Sequence, residues 1–255
     1  MSKLNVHSWI VRRPPARQDA VQLICFPYAG GGSWIYSKWQ RDLPDRIAVC
    51  PVELPGRGSR RHEAPFTDLS ALVSTLVGAI RRDLTAPYAL FGHSLGARIA
   101  IELAVAIRSV RLREPCHIFL SGANPPTSAD QDIGHRILQQ EHLVDQLVAL
   151  GGTPAEALAD AELMTLSLPV LQADFQLNDT PSRSGIPPLD VPITVLLGQE
   201  DPTTCRRVAE RWRVYSTGSF RIEAMPGDHF FLDKSRTQVL NLIAAALDPV
   251  SLADR

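Results

Sequence analysis

The sequence predicts an α/β fold: a mostly parallel central sheet, helices on both faces and a helical insertion. Three observations carry that prediction. Short apolar runs rich in β-branched and aromatic residues recur along the 255 residues, with helical spacing between them. One run leads through Gly92-His93-Ser94-Leu95-Gly96 straight into a helical pattern. Residues 125–180 hold nine acids against a single base, a net of −8 that leaves +7 on the remainder. A charge boundary this sharp marks a separate structural unit.

Strands are predicted, in order, at 6–11, 21–26, 47–53, 88–91, 117–121, 193–197 and 220–224. Leu69, Leu72, Val73, Leu76, Val77 and Ile80 recur at spacings of three and four, one face of a helix. Ile99, Ala100, Leu103 and Ala104 repeat the pattern behind the serine, and Leu240, Leu242, Ile243 and Leu247 form a closing helix. Strands alternating with helices give a parallel sheet whose active loops lie at the carboxyl ends of the strands. The acidic stretch breaks the rhythm. Ile133, Ile137, Leu138, Val144, Leu147 and Val148 make one helical stripe; a second helix spans 154–168, Pro169 interrupts it, and a third covers 170–177. The chain therefore divides into core (1–124), insertion (125–190, returning through the proline-rich 181–192) and core again (191–255).

Composition excludes several classes of function. A net charge of −1 gives no overall pull toward nucleic acid or a membrane surface. The start, MSKLNVHSWIVRRPP, lacks the apolar core and cleavage site of a signal peptide, and no apolar run approaches the roughly 20 residues that span a bilayer. Cys25, Cys50 and Cys116 sit in strand-like runs without CxxC spacing, and nothing near Cys205 activates a thiolate. Free thiols in a reducing cytoplasm, and no metal site, are the expectation.

Strand, G-x-S-x-G turn and helix form the setting in which Ser94 becomes an exposed nucleophile. The competing reading is a serine that simply caps a helix. A serine hydroxyl needs a base held by an acid, in the chain order Ser, Asp or Glu, His for this kind of sheet. Of seven histidines only His229 lies beyond the insertion, between the last strand and the last helix; a solvent-facing loop histidine is the alternative. His93, next to the serine on a sharp turn, points away from it and either shapes the turn or packs beneath the site. The acid comes from Gly198-Gln199-Glu200-Asp201-Pro202, with Asp201 preferred and Glu200 the fallback; Asp228, a direct neighbour of His229, has poor geometry. An oxyanion requires two backbone N–H donors. Leu95 supplies one, and Tyr28 or Ala29 in Phe26-Pro27-Tyr28-Ala29-Gly30-Gly31-Gly32-Ser33 the other. That glycine loop lacks the lysine and spacing of phosphate-binding loops, so nucleotide binding is disfavoured.

Together these pieces resemble the type II thioesterases, stand-alone α/β-hydrolases that accompany polyketide and nonribosomal peptide synthetases. The resemblance runs through WIVRR (9–13), FPYAGGG (26–32), Trp39, ELPGRGSR (53–60), GHSLGA (92–97), LPVLQADF (168–175), GQED (198–201) and PGDHFFL (226–232). Where the family carries Met after the nucleophile this chain has Leu95, a change of little consequence because the backbone donates. The resemblance implies Ser94 as nucleophile, Asp201 as acid and His229 as base, with oxyanion donors at Leu95 and at Tyr28 or Ala29. It implies hydrolysis of acyl or peptidyl thioesters from the phosphopantetheine arm of carrier proteins, in trans and as a monomer. Phosphopantetheine belongs to the substrate, so no cofactor is required. The insertion matches the family's lid, whose leucine-rich faces line an acyl channel. An acidic carrier would dock on the positive core through Arg57, Arg60 and Arg61, unless Arg57 holds its loop together internally. A carboxylesterase or lipase using the same triad, and a catalytically silent hydrolase fold serving as a binding protein, are the rival functions.

Overall fold

The computed structural model describes residues 9–11, 20–126, 160–179 and 187–248. The chain runs β1 (Val21–Phe26), α1 (Trp39–Asp42), β2 (Ile47–Pro51), α2 (Leu69–Ile80), β3 (Tyr88–His93), α3 (Leu95–Ser109) and β4 (His117–Ser121). It continues with α4 (Ala161–Asp179), β5 (Ile193–Gly198), α5 (Arg206–Ala209), β6 (Phe220–Met225), α6 (Phe231–Lys234) and α7 (Arg236–Ala246).

Six strands form one sheet in the order β2-β1-β3-β4-β5-β6, every neighbouring pair parallel. A parallel sheet is covered on both faces, so alternate residues of each strand enter different cores. Ile24, Phe26, Tyr88 and Leu90 join α2 and α3 on one side. Leu23, Cys25, Ala89 and Phe91 join Trp39 and α7 on the other. The helix behind the serine is the deepest, with Ile99, Ala100, Leu103 and Ala104 all fully buried. Helix α2 starts on Asp68, whose carboxylate accepts the Ala71 N–H at 2.7 Å, a side-chain N-cap.

Two consequences position the site. The strand order reverses between β1 and β3, the switch point at which ligands bind in open α/β sheets. Phe26 is level with Gly92 across that pair, so the glycine loop after β1 and the serine turn after β3 open side by side.

Several boundaries differ from expectation. Strand β3 extends to His93, beyond 91, because Gly92 and His93 stay in register with Leu120 and Ser121. The predicted strand at 6–11 contributes an isolated antiparallel bridge, Ile10 to Val52, within the described residues. The largest correction is Pro169, which lies inside α4. A proline removes one backbone donor, but Met164, Leu171, Ala173 and Leu177 are buried on this helix, and that packing outweighs the lost bond. The predicted stripe from Ile133 to Val148 lies outside the described residues.

Candidate active site

Ser94 sits between β3 and α3 with φ 54° and ψ −117°, a conformation that non-glycine residues seldom adopt. Its N–H donates to the Ser121 carbonyl at 2.8 Å, fixing the turn to β4. The glycines on either side are required by contact. A Cβ at 92 would overlap the Gly96 carbonyl, and one at 96 would overlap the Phe26 carbonyl at the end of β1. The turn is thus pressed against the start of the glycine loop, and Ser94 stays partly exposed. Its side chain makes no cap hydrogen bond, which removes the helix-capping alternative.

Asp201 and His229 come together at the ends of β5 and β6. Their bond, His229 Nδ1 to Asp201 Oδ2, measures 2.8 Å between side chains that are 5 % and 0 % exposed. Asp201 is saturated: Oδ1 accepts the Thr203 N–H at 2.8 Å and Thr203 Oγ1–H at 2.6 Å, and Oδ2 also accepts Thr204 Oγ1–H at 3.0 Å. Burial pushes its carboxyl upward, but the His229 and Thr203 hydrogen bonds and the imidazole charge outweigh that and hold it at about 2. Glu200 is exposed, and Asp201 is the carboxylate that bonds His229. Asp228 is occupied elsewhere, accepting from Lys234 Nζ at 2.7 Å and from the Phe230 N–H at 2.9 Å. Thr203 and Thr204 were not visible as site residues. An Asp followed two residues later by Thr is an Asx-turn signal that would have found Thr203.

His93 does point away from solvent beneath the turn. It is fully buried, its Nδ1 lies 2.8 Å from Ser121 Oγ, and its ring centroid is 5.2 Å from that of His229. Burial first, and the neighbouring His229 second, lower its pKa to about 3, so it is neutral at ordinary pH.

The first N–H of α3 belongs to Leu95, at the positive end of the helix. In the glycine loop, Gly30 N–H donates to Asp174 Oδ2 at 2.7 Å and Gly31 N–H to the Tyr28 carbonyl at 2.9 Å. Both glycine amides are therefore committed, and Tyr28 and Ala29 keep theirs free of protein acceptors among the described residues. The Tyr28 ring meets His93 and Phe230 edge-on at 5.8 and 5.0 Å. A cavity of about 240 Å³ opens beside them, lined in part by Tyr28, Trp34, His93 and Phe230.

The arginines after β2 correct the docking expectation. Arg57 is 6 % exposed and forms a forked pair with Asp174, both bonds 2.7 Å. Arg60 is 5 % exposed, pairs with Glu63 and stacks 3.8 Å from the Trp9 ring centroid. Arg61 alone of the three is exposed. Neither Arg57 nor Arg60 is available to a partner.

A parallel sheet with a strained serine turn at its switch point, and an aspartate-held histidine beyond its last strand, defines the α/β-hydrolase class. Within that class the chain belongs to the thioesterase family: the family model for the thioesterase domain matches residues 21–247. The gramicidin S biosynthesis protein GrsT of Aneurinibacillus migulanus is 34% identical over 242 residues, covering 95% of this chain and 94% of that protein. The medium-chain S-acyl fatty acid synthase thioesterase of Rattus norvegicus is 36% identical, covering 92% of this chain and 91% of that protein. Among solved structures, the RedJ thioesterase of the prodiginine pathway in Streptomyces coelicolor superposes with a TM-score of 0.82 at 36% identity, covering 92% and 97% of the two chains. The type II thioesterase BorB from the borrelidin biosynthetic cluster gives 0.83 at 35% identity, covering 95% and 99%.

Proposed function

We propose that this thioesterase hydrolyses acyl or peptidyl thioesters held on the phosphopantetheine arm of carrier proteins, clearing stalled or aberrant chains from polyketide or nonribosomal peptide assembly. Ser94 Oγ attacks the thioester carbonyl while His229 takes its proton. Asp201 keeps the Nδ1 hydrogen in place and stabilises the imidazolium that results. The oxyanion is held by the Leu95 N–H and by that of Tyr28 or Ala29. The imidazolium then protonates the departing thiolate, and water, deprotonated by the same imidazole, releases the acyl group from Ser94. The insertion containing α4 acts as a lid over the acyl chain. The protein works in a reducing cytoplasm, in keeping with its free cysteines.

The observation that carries this reading is the buried 2.8 Å Asp201–His229 bond at the same sheet edge as the strained Ser94. Single-turnover mass spectrometry of carrier proteins loaded with a panel of acyl groups tests it. Wild-type protein should release the acyl groups with Ser94 transiently acylated, and Ser94→Ala should lose roughly 10⁵–10⁶ in rate. Turnover of simple aryl esters with intact carrier thioesters would overturn the assignment in favour of a carboxylesterase.

A further inference from the structure

Three separate stretches of the sequence, 26–33, 53–60 and 168–175, meet in one buried network that the mechanism above does not use. Its centre is Asp174 on α4, 1 % exposed. One oxygen, Oδ2, accepts both the Gly30 N–H and Arg57 Nη1–H at 2.7 Å; Oδ1 accepts Arg57 Nη2–H at 2.7 Å. The same Nη1 reaches the Gly31 carbonyl at 3.0 Å, and the guanidinium also lies 3.4 Å from the Pro55 carbonyl. At the far end of the loop, the buried Glu53 accepts the Ser33 N–H at 3.2 Å and Ser33 Oγ–H at 2.8 Å. Charged groups therefore grip the glycine loop at both ends. Gly30 has φ +74°, and a Cβ there would come within 2.6 Å of Leu171, again on α4.

Burying an ion pair is expensive and is seldom favoured over apolar packing for stability alone. A forked arginine–carboxylate pair is directional, however, and fixes whatever its spare lone pairs hold. Here they hold the backbone of the loop that starts against the serine turn, and whose remaining amides, Tyr28 and Ala29, have no protein acceptor among the described residues. We propose that Asp174 and Arg57 are positioning residues for the oxyanion donor, so that the helix of the insertion, while it covers the site, also sets the loop that stabilises the transition state. This rests on the catalytic reading of Ser94 given above. The Gly30 amide is consumed by Asp174, which prevents it from competing with its neighbours as a donor and turns the peptide preceding it into a fixed orientation. Without Asp174, Gly30 N–H and Arg57 would both lose their acceptor.

The test measures kcat and KM for an acyl-carrier thioester, together with inhibition by an acyl trifluoromethyl ketone that adds to Ser94 as a tetrahedral oxyanion. Asp174→Asn keeps an acceptor for Gly30 but loses the charge paired with Arg57. Arg57→Lys keeps the charge but loses the fork and the bond to Gly31. Each should lower kcat by about 10- to 100-fold, less than deletion of an oxyanion donor. Each should weaken the ketone by a similar factor, with KM changed less than about threefold. Binding of a non-hydrolysable thioether analogue, measured in a Ser94→Ala background, should stay constant, and Asp174→Glu should recover part of the rate. Unchanged kcat and ketone affinity in Asp174→Asn would overturn the proposal. So would equal losses in ketone and thioether binding, the mark of a residue that only shapes the acyl pocket. Should either variant fail to fold, the other carries the measurement. Ketone inhibition does not depend on the natural substrate, so a wild-type protein inactive on carrier thioesters yet bound by the ketone would refute the functional assignment while leaving the network testable.

Discussion

Asp201 and His229 meet from loops that follow adjacent strands of the core, 28 residues apart. The glycine loop meets its partner Asp174 across 144 residues, from a helix inserted between β4 and β5. In the acid–base half, sheet register places both side chains: Gly198 is level with Met225, and each functional residue lies three or four positions further on. Local turns finish the placement, through Thr203 and Thr204 on Asp201 and through Asp228 on the loop of His229. The oxyanion half has no such guarantee. Its loop is held from outside the core, by Asp174 on α4, so one half of the site is built at the sheet edge and the other is held by the insertion.

The heaviest blow to the acid–base half is Asp201→Asn. The amide keeps the shape of the side chain but favours the wrong imidazole tautomer, and kcat should fall by about 10³–10⁴-fold. Thioether binding should barely change, while the melting point falls with the loss of the charge that Thr203, Thr204 and His229 bond. Loss of substrate affinity instead would mean that the two halves are not separable.

Next comes the buried ion pair that holds the glycine loop. Arg57→Ala leaves Asp174 buried without its countercharge and should cost about 3–5 kcal/mol by denaturant titration. The apolar pair Arg57→Met with Asp174→Leu should restore most of that stability and none of the lost kcat. Recovery of both together would reduce the network to packing and erase the distinction drawn between the two regions.

The smallest effect is one of pH. His93, held neutral with a pKa of about 3, binds a proton more readily once unfolded, where imidazole titrates near its model value of 6.5. Folding stability should therefore decline as pH falls from 6.5 toward 3. Asp201 adds to the decline below about 4, since its stabilising charge is present above the unfolded value of about 3.9 and is lost as pH drops through 2. His93→Gln should flatten the upper part of the curve, measured as denaturant midpoint against pH, and leave the lower part in place. A curve unaltered between pH 6.5 and 4 would place the proton uptake on other groups.

This contrast also explains what could be foreseen. Ser94, Asp201 and His229 stand out in sequence because each follows a strand directly, and strand-then-turn is a local pattern. Strands β1 and β4 match their predicted limits, whereas β3 runs further because parallel pairing holds Gly92 and His93 in the ladder. The Arg57–Asp174 pair spans 117 residues, and no local pattern links its two members. Asp174 belongs to a stretch of net charge −8, where any one acid is most simply read as solvated. Its signature was visible only as an acid set among apolar neighbours in Leu171-Gln172-Ala173-Asp174-Phe175. Pro169 misled for a related reason: propensity describes an isolated helix, and α4 is held by its buried side.

The contact of Gly96 with the Phe26 carbonyl has a further consequence for how such an enzyme diversifies. With those two backbones touching, the spacing between the serine turn and the start of the first loop is set by main-chain packing. No side-chain substitution at the strand ends can retune it. Adaptation to different acyl groups is then left to side chains beyond that turn.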